Sequence, residues 1–387
     1  MDDLRKCIYC RQVKPVKEFS LEHIFPDALG GALCDMTFKT HNVCQRCNSL
    51  CGIWVDSPVI KNWFSNNYNF DIAREFIDFN NGSVLPLMYM GEFTEFSSKD
   101  EVCEMWLGPT GDNIYHFRKR SDPRYDTIIG GDFIDNKKNP GVAYIFATTD
   151  NPNWMKIVLL SFKEQFKNEK RISGNIGLDE ESEEMFFHKP TEEEKEIITK
   201  LKAYNEPFHK LQTKINLGFD QRFLAKIALG IGFNLLGEDY LESEYALELH
   251  RCLWEKDFEK RCKLKVRGTG FLNEFNQIKD YMCYPGAHLI NILSVGKELV
   301  IGLCLYGVIF AQIVICDDKK YFSDRQELRS GLIYLLFPQI KKIVGPISLG
   351  KYIACKFSGD KLKELEEIEN CRIDYKKLPP FRSKDYK

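Results

Sequence analysis

The sequence predicts an α+β protein in which a small, cysteine-rich N-terminal module precedes a larger mixed α/β region with a helical block. Six of the 14 cysteines fall within the first 51 residues, whereas the other eight are scattered with no repeated spacing. Further along, stretches with alternating polar and apolar residues give way to stretches with apolar residues at helical spacing, and alternation then returns. Clustered cysteines and changes of periodicity are typical of a stapled module followed by strands and helices in separate blocks.

The length predicts several structural parts, because 387 residues exceed the usual size of one hydrophobic core. We predict four parts along the chain: the N-terminal module over 1–68, a strand-rich mixed region over 69–190, the helical block over 191–265 and an α/β C-terminal region over 266–387.

Individual elements follow from local patterns. Residues 101–120 alternate around a Gly-Pro-Thr-Gly-Asp turn, which predicts a hairpin. Thr191 followed by three glutamates predicts a capped helix start, since the helix dipole favours negative charge there. We also predict strands over 141–149, 288–295 and 299–315 and a loose basic tail over 376–387. Helices are predicted over 153–171, within 220–240 with an end near Gly237, over 243–256 and in part of 324–342.

Composition and charge exclude several classes of protein. Hydrophobic residues make up 44% and charged residues 28% of the chain, which is typical of a globular protein and not of a disordered one. The net charge of −2 excludes a bulk polycation, so nucleic-acid binding would need a local basic patch. The chain has no apolar run of membrane-spanning length and no secretion signal in "MDDLRKC", so we expect a cytoplasmic protein without a membrane partner.

Two Cys-x-x-Cys pairs, "CIYC" and "CQRC", have the spacing of a four-thiolate zinc site. Their members are Cys7, Cys10, Cys44 and Cys47. So short a segment has little hydrophobic core, and bound zinc contributes about 10–16 kcal/mol to the folding of comparable peptides. We interpret Cys34 and Cys51 as packing residues, with Cys51 left open as an alternative ligand.

The stretch "FSLEHIFPDALGG" lies between the two cysteine pairs. Pro26 ends a strand there, which places Glu22 and His23 at a strand end. A helix is expected after the second pair, with Asn48 near its start. A carboxylate, an imidazole and a carboxamide in one concavity suit the binding of a hard divalent ion beside a base that activates water.

The combination "CIYC…LEHIFPDALGG…CQRCN" resembles the zinc-bearing HNH endonucleases, the ββα-metal nucleases with a Cys-x-x-Cys pair on each side of the site. The resemblance covers about residues 5 to 56. It implies hydrolysis of nucleic-acid phosphodiester bonds with Mg²⁺ or Mn²⁺, beside a structural Zn²⁺. It further implies that His23 is the general base, active when neutral and therefore above about pH 6.5, and that Glu22 and Asn48 hold the catalytic ion.

Two positions depart from the pattern of that family. Lys39 stands where the family has a central Asn that orients the catalytic His, so we predict that Asn42 takes this role, with His41 as the alternative. Asn48 stands where His is commoner. Asp56 is either a helix cap or a further ligand.

Basic residues at two places are candidates for binding nucleic acid. His41 and Arg46 lie beside the predicted site, and Arg118, Lys119 and Arg120 belong to the basic-aromatic stretch "YHFRKRSDPRY". For that stretch a solvated hairpin end stands against contact with DNA. For His116 we predict a solvated strand edge, with phosphate binding as the alternative.

The leading interpretation is a DNA endonuclease of restriction, phage defence or a mobile element, with RNA left open as a substrate. Its biological setting rests on analogy with long proteins that carry an N-terminal HNH unit. Residues 69–387 would serve specificity, sensing or homo-oligomerisation. Two alternatives stay open: a nuclease that is silent until the C-terminal region binds a small molecule or modified DNA, and a non-catalytic zinc module that docks nucleic acid or protein.

Overall fold

The computed structural model describes residues 3–204, 209–216, 220–270, 282–360 and 362–373. The chain forms two compact units. The first unit combines Met1–Ile60 with Asn216–Cys371, and the second combines Lys61–Ile215 with Arg372–Lys387. The predicted tail over 376–387 lies outside the described residues.

This division differs from the four parts that the sequence predicts, because the first unit is discontinuous in sequence. The predicted helical block is divided between the two units, since strand pairing joins residues 211–212 to the second unit while the helix from Asp220 packs in the first. The α+β class itself is confirmed.

The strands in the described part of the chain are β1 (Leu4–Lys6), β2 (Val13–Pro15), β3 (Phe19–His23), β4 (Lys39–Cys44), β5 (Met88–Phe93), β6 (Glu101–Leu107), β7 (Asn113–Lys119), β8 (Val142–Phe146), β9 (Lys170–Ser173), β10 (Leu211–Gln212), β11 (Gly268–Thr269), β12 (His288–Val295), β13 (Glu298–Leu305), β14 (Ile309–Cys316), β15 (Leu332–Phe337) and β16 (Lys342–Ser348).

The α-helices in the same ranges are α1 (Gln45–Cys51), α2 (Ser57–Ile60), α3 (Trp63–Ala73), α4 (Phe133–Lys138), α5 (Pro152–Gln165), α6 (Glu180–Phe186), α7 (Glu192–Ala203), α8 (Asp220–Leu236), α9 (Glu244–Trp254), α10 (Phe258–Arg261), α11 (Gln326–Ser330), α12 (Leu349–Ser358) and α13 (Glu366–Cys371). A π-helical turn over Gly52–Asp56 connects α1 to α2.

The first unit begins with an N-terminal module, residues 3–60, that contains two small antiparallel pairs, β1–β2 and β3–β4. The double glycine of "ALGG" fits a tight turn after β3. Gly30 has a φ of +94°, and a Cβ on Gly31 would lie 1.7 Å from the carbonyl oxygen of Phe25. Only glycine satisfies both positions, so the chain can fold back to form β4.

The C-terminal part of the first unit is an antiparallel sheet in the order β11-β14-β13-β12-β15-β16. Helix α8 packs against β14 and also against the N-terminal module. It ends where the sequence predicts, because Gly237 with a φ of +85° follows its last residue. Helix α9 buries Tyr245, Leu249 and Cys252, which recur at helical spacing.

One predicted helix is only partly correct. Within 324–342 the helix is limited to α11, and Leu332–Phe337 instead forms β15 between β12 and β16. Five of its six residues are buried. A short, continuously apolar run fits a central strand as well as a helix, and pairing on both edges decides in favour of the strand.

The second unit is built on a sheet in the order β10-β5-β6-β7-β8-β9. The hairpin predicted around Gly-Pro-Thr-Gly-Asp is confirmed as the antiparallel pair β6–β7. Strand β9 runs parallel to β8, and α5 connects the two, as a parallel crossover requires. The capped helix predicted at Thr191 is confirmed, with a reciprocal capping box to Glu194.

A buried charged cluster lies on β6 and β7 in the second unit. The Glu104 carboxylate contacts His116 Nδ1 at 3.1 Å and the Arg118 guanidinium at 2.8 Å. His116 also faces Glu169, with its Nε2 at 3.9 Å. Both His116 and Arg118 are buried, so the prediction of a solvated edge at His116 is wrong: the strand is central in its sheet and not at an edge.

Because of this cluster, we expect the free energy of unfolding to decrease both toward low pH and toward high pH. Burial would raise the pKa of the Glu104 carboxyl, but Arg118 and His116 outweigh burial and lower it to about 2 from 4.5. Burial would lower the pKa of His116, but Glu104 and Glu169 raise it above 6.5. The stabilisation by Glu104 is present above pH 4.5 and lost as pH falls toward 2. That by His116 is present below pH 6.5 and lost as pH rises through its raised pKa.

We therefore expect His116→Gln to reduce the free energy of unfolding most between pH 4.5 and 6.5, where both partners are charged. The cost is about 1.5–3 kcal/mol, that of a hydrogen bond to a charged group, because Arg118 still compensates Glu104. Urea unfolding of both proteins across pH measures the difference. His188→Gln, an exposed histidine of the same unit, is the matched control. A difference that does not vary with pH would contradict the pairing.

Within the described ranges, no helix has both the length and the apolar composition needed to cross a lipid bilayer.

Candidate functional site

Four thiols converge in the N-terminal module. The sulfur atoms of Cys7, Cys10, Cys44 and Cys47 all lie within 4.8 Å of one another. The first pair lies in the turn between β1 and β2, and the second spans the last residue of β4 and the first turn of α1. Each two-residue gap therefore directs both sulfurs of a pair to the same point.

The thiol geometry fits zinc. In a tetrahedral site the sulfurs lie about 3.8 Å apart, since each Zn–S bond is about 2.3 Å. The Cys10 and Cys44 sulfurs are 3.9 Å apart. The Lys14 ammonium lies 3.4 Å from the Cys44 sulfur, and the amide of Cys44 donates a hydrogen bond to the Cys7 sulfur. Both contacts favour thiolates, which are the form that binds zinc.

The two surplus cysteines of the module lie outside this cluster. Cys34 is buried, and its thiol faces the carbonyl of Gly30 at 3.8 Å. Burial raises the pKa of the Cys34 thiol to about 12 and that of Cys51 still further. Both are neutral filling residues in this environment, in line with the sequence-based interpretation.

The hairpin β3–β4 contains a bulge next to the predicted catalytic residues. Ser20 pairs with Val43 and Glu22 pairs with Thr40, so His41 and Asn42 together oppose Leu21. His23 pairs with Lys39. A bulge of this kind twists a strand locally and redirects its side chains.

His23 is half-buried at the end of β3, and its ring makes no hydrogen bond to any described residue. Burial lowers the pKa of His23, and the nearby Lys39 and Lys226 act in the same direction, while the Asp27 carboxylate opposes them. A lowered pKa favours the neutral imidazole, which is the form that accepts a proton.

Asn48 lies in the first part of α1 and is bound to β3. Its amide nitrogen donates to Ser20 Oγ at 3.0 Å and to the carbonyl of Leu21 at 2.9 Å. These two acceptors fix the orientation of the carboxamide, since only its NH₂ group can donate to both. The side-chain carbonyl oxygen of Asn48, Oδ1, is left without a hydrogen bond in the described part of the protein and is a suitable ligand for a hard cation.

The Glu22 carboxylate, which the sequence predicts as a metal ligand, is buried and paired with a lysine. The Glu22 side chain is 3% exposed, and its Oε1 lies 2.7 Å from the ammonium of Lys226 on α8. The same ammonium lies 2.7 Å from Asp56 Oδ2. Asp56, which the sequence left open as a helix cap or a further ligand, is thus paired with a buried lysine. Burial raises the pKa of both carboxyls, and Lys226 opposes this shift.

The predicted orienting residue Asn42 lies in the bulge opposite Leu21 and not opposite His23. Lys39 occupies the position across from His23, with its ammonium bound to the carbonyl of Ala32 at 2.6 Å. No hydrogen bond joins Asn42 or His41 to the His23 ring among the described residues. The orienting role of either residue stays a prediction.

The predicted nucleic-acid contacts fall into two groups. His41 and Arg46 are exposed on the N-terminal module, as such contacts require. Arg118 is buried against Glu104 in the second unit and Arg120 is paired with Glu92 at 2.7 Å, whereas Lys119 is exposed. The structure does not support a role for Arg118 at a surface, because its charge is already neutralised in the interior.

Comparison with known protein families identifies this module. Residues 7–64 match the family model described as HNH endonuclease. This segment is therefore similar to HNH endonuclease domains, and we call it the HNH domain after that match. The match covers about one seventh of the chain. Searches of curated proteins and of solved structures gave no match.

The HNH domain explains the resemblance seen in the sequence and supports a nuclease in general, with nucleic acid as the class of substrate. Two residues near its site escaped sequence reasoning. Asp27 acts on His23 electrostatically, and its position four residues after His23 in the same short loop was a usable signal. Lys226 gave no local signal, since it lies in an apolar helix far along the chain.

Proposed function

We propose that this protein is a metal-dependent endonuclease that hydrolyses DNA phosphodiester bonds through a water molecule activated by His23. One observation carries the proposal. Within the HNH domain, the half-buried imidazole of His23 has no hydrogen-bond partner among the described residues. His23 lies two residues after Leu21, whose backbone carbonyl accepts a hydrogen bond from Asn48. This short spacing supports a base and an oxygen ligand that act at the same strand end.

The residues of the chain divide the chemistry as follows. The neutral His23 ring accepts the proton of the attacking water. The Asp27 carboxylate stabilises the imidazolium that results, since it acts against the lowering of the His23 pKa. Asn48 would hold Mg²⁺ or Mn²⁺ through its free carbonyl oxygen, and a divalent ion supplies stabilisation of negative charge on the phosphate and the leaving oxygen. His41 and Arg46 would contact the phosphate backbone.

The zinc site keeps this arrangement in place. Cys44 and Cys47 lie on either side of the first residues of α1, directly before Asn48. A four-thiolate zinc ion at these residues therefore fixes the start of α1 against β3. Its role is structural, because all four positions of the tetrahedron are taken by protein ligands.

The test is cleavage of supercoiled plasmid by the purified full chain with Mg²⁺ or Mn²⁺. We expect His23→Ala to reduce the rate by about 10²–10⁴-fold, the usual contribution of a general base, without loss of zinc. His188→Ala, an exposed histidine in the second unit, is the control and should cut like wild type. Equal cleavage by wild type and His23→Ala would refute the proposal. Parallel reactions on RNA determine whether it is also a substrate.

The biological setting that we propose, restriction, phage defence or a mobile element, rests on analogy alone. A nuclease that reads only phosphates needs restraint in a cell, because phosphate contacts carry no sequence information. Residues outside the HNH domain are the candidates for that restraint.

A ligand-gated nuclease is a second candidate, and one observation favours it. The sheet of the first unit has an apolar cavity of about 220 Å³ on one face of β12, β13 and β14, beside α12, lined among others by Leu293 and Phe310. The buried Asn291 lines it as well, and its Oδ1 has no hydrogen-bond partner in the described part of the chain. Purified protein that cuts only after addition of a small-molecule cell extract would favour this candidate over the ungated enzyme.

A further inference from the structure

Lys226 is a fully buried cation that binds three oxygen atoms of the HNH domain. Its side chain is 0% exposed. Its ammonium lies 2.7 Å from Glu22 Oε1, 2.7 Å from Asp56 Oδ2 and 3.2 Å from the backbone carbonyl oxygen of His23. Asp56 Oδ2 and the His23 carbonyl oxygen accept hydrogen bonds from this ammonium, whereas Glu22 Oε1 forms an ion pair with it that lacks hydrogen-bond geometry. We call Glu22, Lys226 and Asp56 the Lys226 triad.

One member of the Lys226 triad, Glu22, is the carboxylate that the sequence predicts as a metal ligand. A divalent ion on Glu22 would lie within a few ångströms of the Lys226 ammonium in a buried, poorly screened environment, where like charges repel strongly. Leu21, the residue before Glu22, is exposed, and its backbone carbonyl accepts a hydrogen bond from Asn48. The Glu22 side chain is instead buried in the interior. Successive side chains of a strand point to opposite faces, so Glu22 faces away from the side on which Leu21 projects.

One face of α8 holds both strands of the hairpin at the level of His23. Lys226, Gly230 and Asn234 recur every four residues and therefore share that face. Lys226 binds the carbonyl of His23 on β3, and Asn234 Nδ2 binds the carbonyl of Lys39, its partner on β4, at 2.8 Å. Between them, a Cβ on Gly230 would lie 2.6 Å from Ile24, so the glycine permits the close approach of the helix.

We infer that Lys226 is a positioning residue for His23, and that Glu22 serves as its anchor and not as a ligand of the catalytic ion. The inference rests on the proposed function as far as catalysis is concerned. The C-terminal part of the chain thereby completes the nuclease site: α8 fixes the backbone from which the catalytic imidazole projects.

The first experiment separates a ligand from an anchor by measuring Mn²⁺ binding calorimetrically on the full chain. We expect Glu22→Gln to leave the Kd for Mn²⁺ within about threefold of wild type, and Asn48→Ala to weaken it by more than about tenfold. A Glu22→Gln protein that loses Mn²⁺ affinity as strongly as Asn48→Ala would overturn the inference.

The second experiment measures positioning through plasmid cleavage. We expect Lys226→Met to lower kcat by about tenfold to a hundredfold with little change in KM or Mn²⁺ affinity, because a misplaced base slows the chemical step and not binding. The neutral triple variant Glu22→Gln/Asp56→Asn/Lys226→Met leaves no buried charge uncompensated but still lacks the donor to the His23 carbonyl, so its kcat should stay low. Recovery of kcat in this variant would assign the loss to uncompensated charge and would overturn the positioning role. Leu229→Ala, equally buried on α8, controls for general destabilisation and should keep kcat. An unchanged kcat in Lys226→Met would overturn the positioning role.

A third measurement keeps this inference separate from the proposed function. If wild type neither cuts DNA nor binds Mn²⁺, the proposed function fails, and hydrogen exchange of the amide of Ile24, which donates to Phe38, still tests the Lys226 triad. Faster exchange in Lys226→Met than in Leu229→Ala would support the anchor. Equal exchange in the two variants would refute it.

Discussion

Replacing Cys47 by alanine is expected to unfold the HNH domain and release its zinc, whereas the same replacement at Cys34 is expected to do neither. The two cysteines are matched, with 3% and 4% of their surface exposed in the same small module. Only Cys47 belongs to the four-thiol cluster. Zinc binding contributes about 10–16 kcal/mol in small zinc modules, which exceeds the stability of most whole domains.

Metal analysis and hydrogen exchange of β3 and β4 measure this difference. Cys34→Ala should retain one zinc per chain and near-wild-type exchange, because it removes only a small buried thiol. Chelation of zinc from the wild type should reproduce the exchange pattern of Cys47→Ala. Loss of zinc in Cys34→Ala, or its retention in Cys47→Ala, would contradict the assignment of the four ligands.

A fragment that ends at residue 60 or 68 is expected not to fold, even with zinc supplied. It would lack Lys226, the cation that pairs with Glu22 and Asp56, together with the face of α8 that packs against the hairpin. It would also lack Trp254, whose indole N–H donates to the carbonyl of Tyr9 at 2.6 Å, and Glu242, which pairs with Arg11 at 2.7 Å.

The contrasting fragment is 61–215, which contains the whole sheet of the second unit. We expect it to fold by itself, because the discontinuity of that unit is limited to its last residues. Dispersion of amide signals in NMR spectra distinguishes folded from unfolded fragments. A well-dispersed spectrum for 1–68 with zinc would show that the module is autonomous and that α8 is dispensable for its fold.

Local patterns in the sequence were sufficient for much of the structure. The hairpin β6–β7, the capped helix at Thr191 and the end of α8 before Gly237 follow from turn residues, caps and periodicity within about 20 residues of sequence. The run Leu332–Phe337 was only partly predicted, because its central position in the sheet depends on pairing with β12, a strand that ends 37 residues earlier in the chain. His116 and Arg118 were misjudged for a similar reason: buried charges become acceptable only beside Glu104 on the neighbouring strand.

The sequence by itself determined the cluster of four thiols, the strand that ends at His23 and the place of Asn48 after the second cysteine pair, since each depends on spacing within one short segment. Only the tertiary structure decided the environment of Glu22 and Asp56. Their cation is separated from Asp56 by 170 residues and from His23 by 203, and no local pattern records which distant lysine a buried carboxylate meets. That pairing is set by how α8 packs on the hairpin, because a carboxylate is stable in the interior only where the fold brings it an opposite charge.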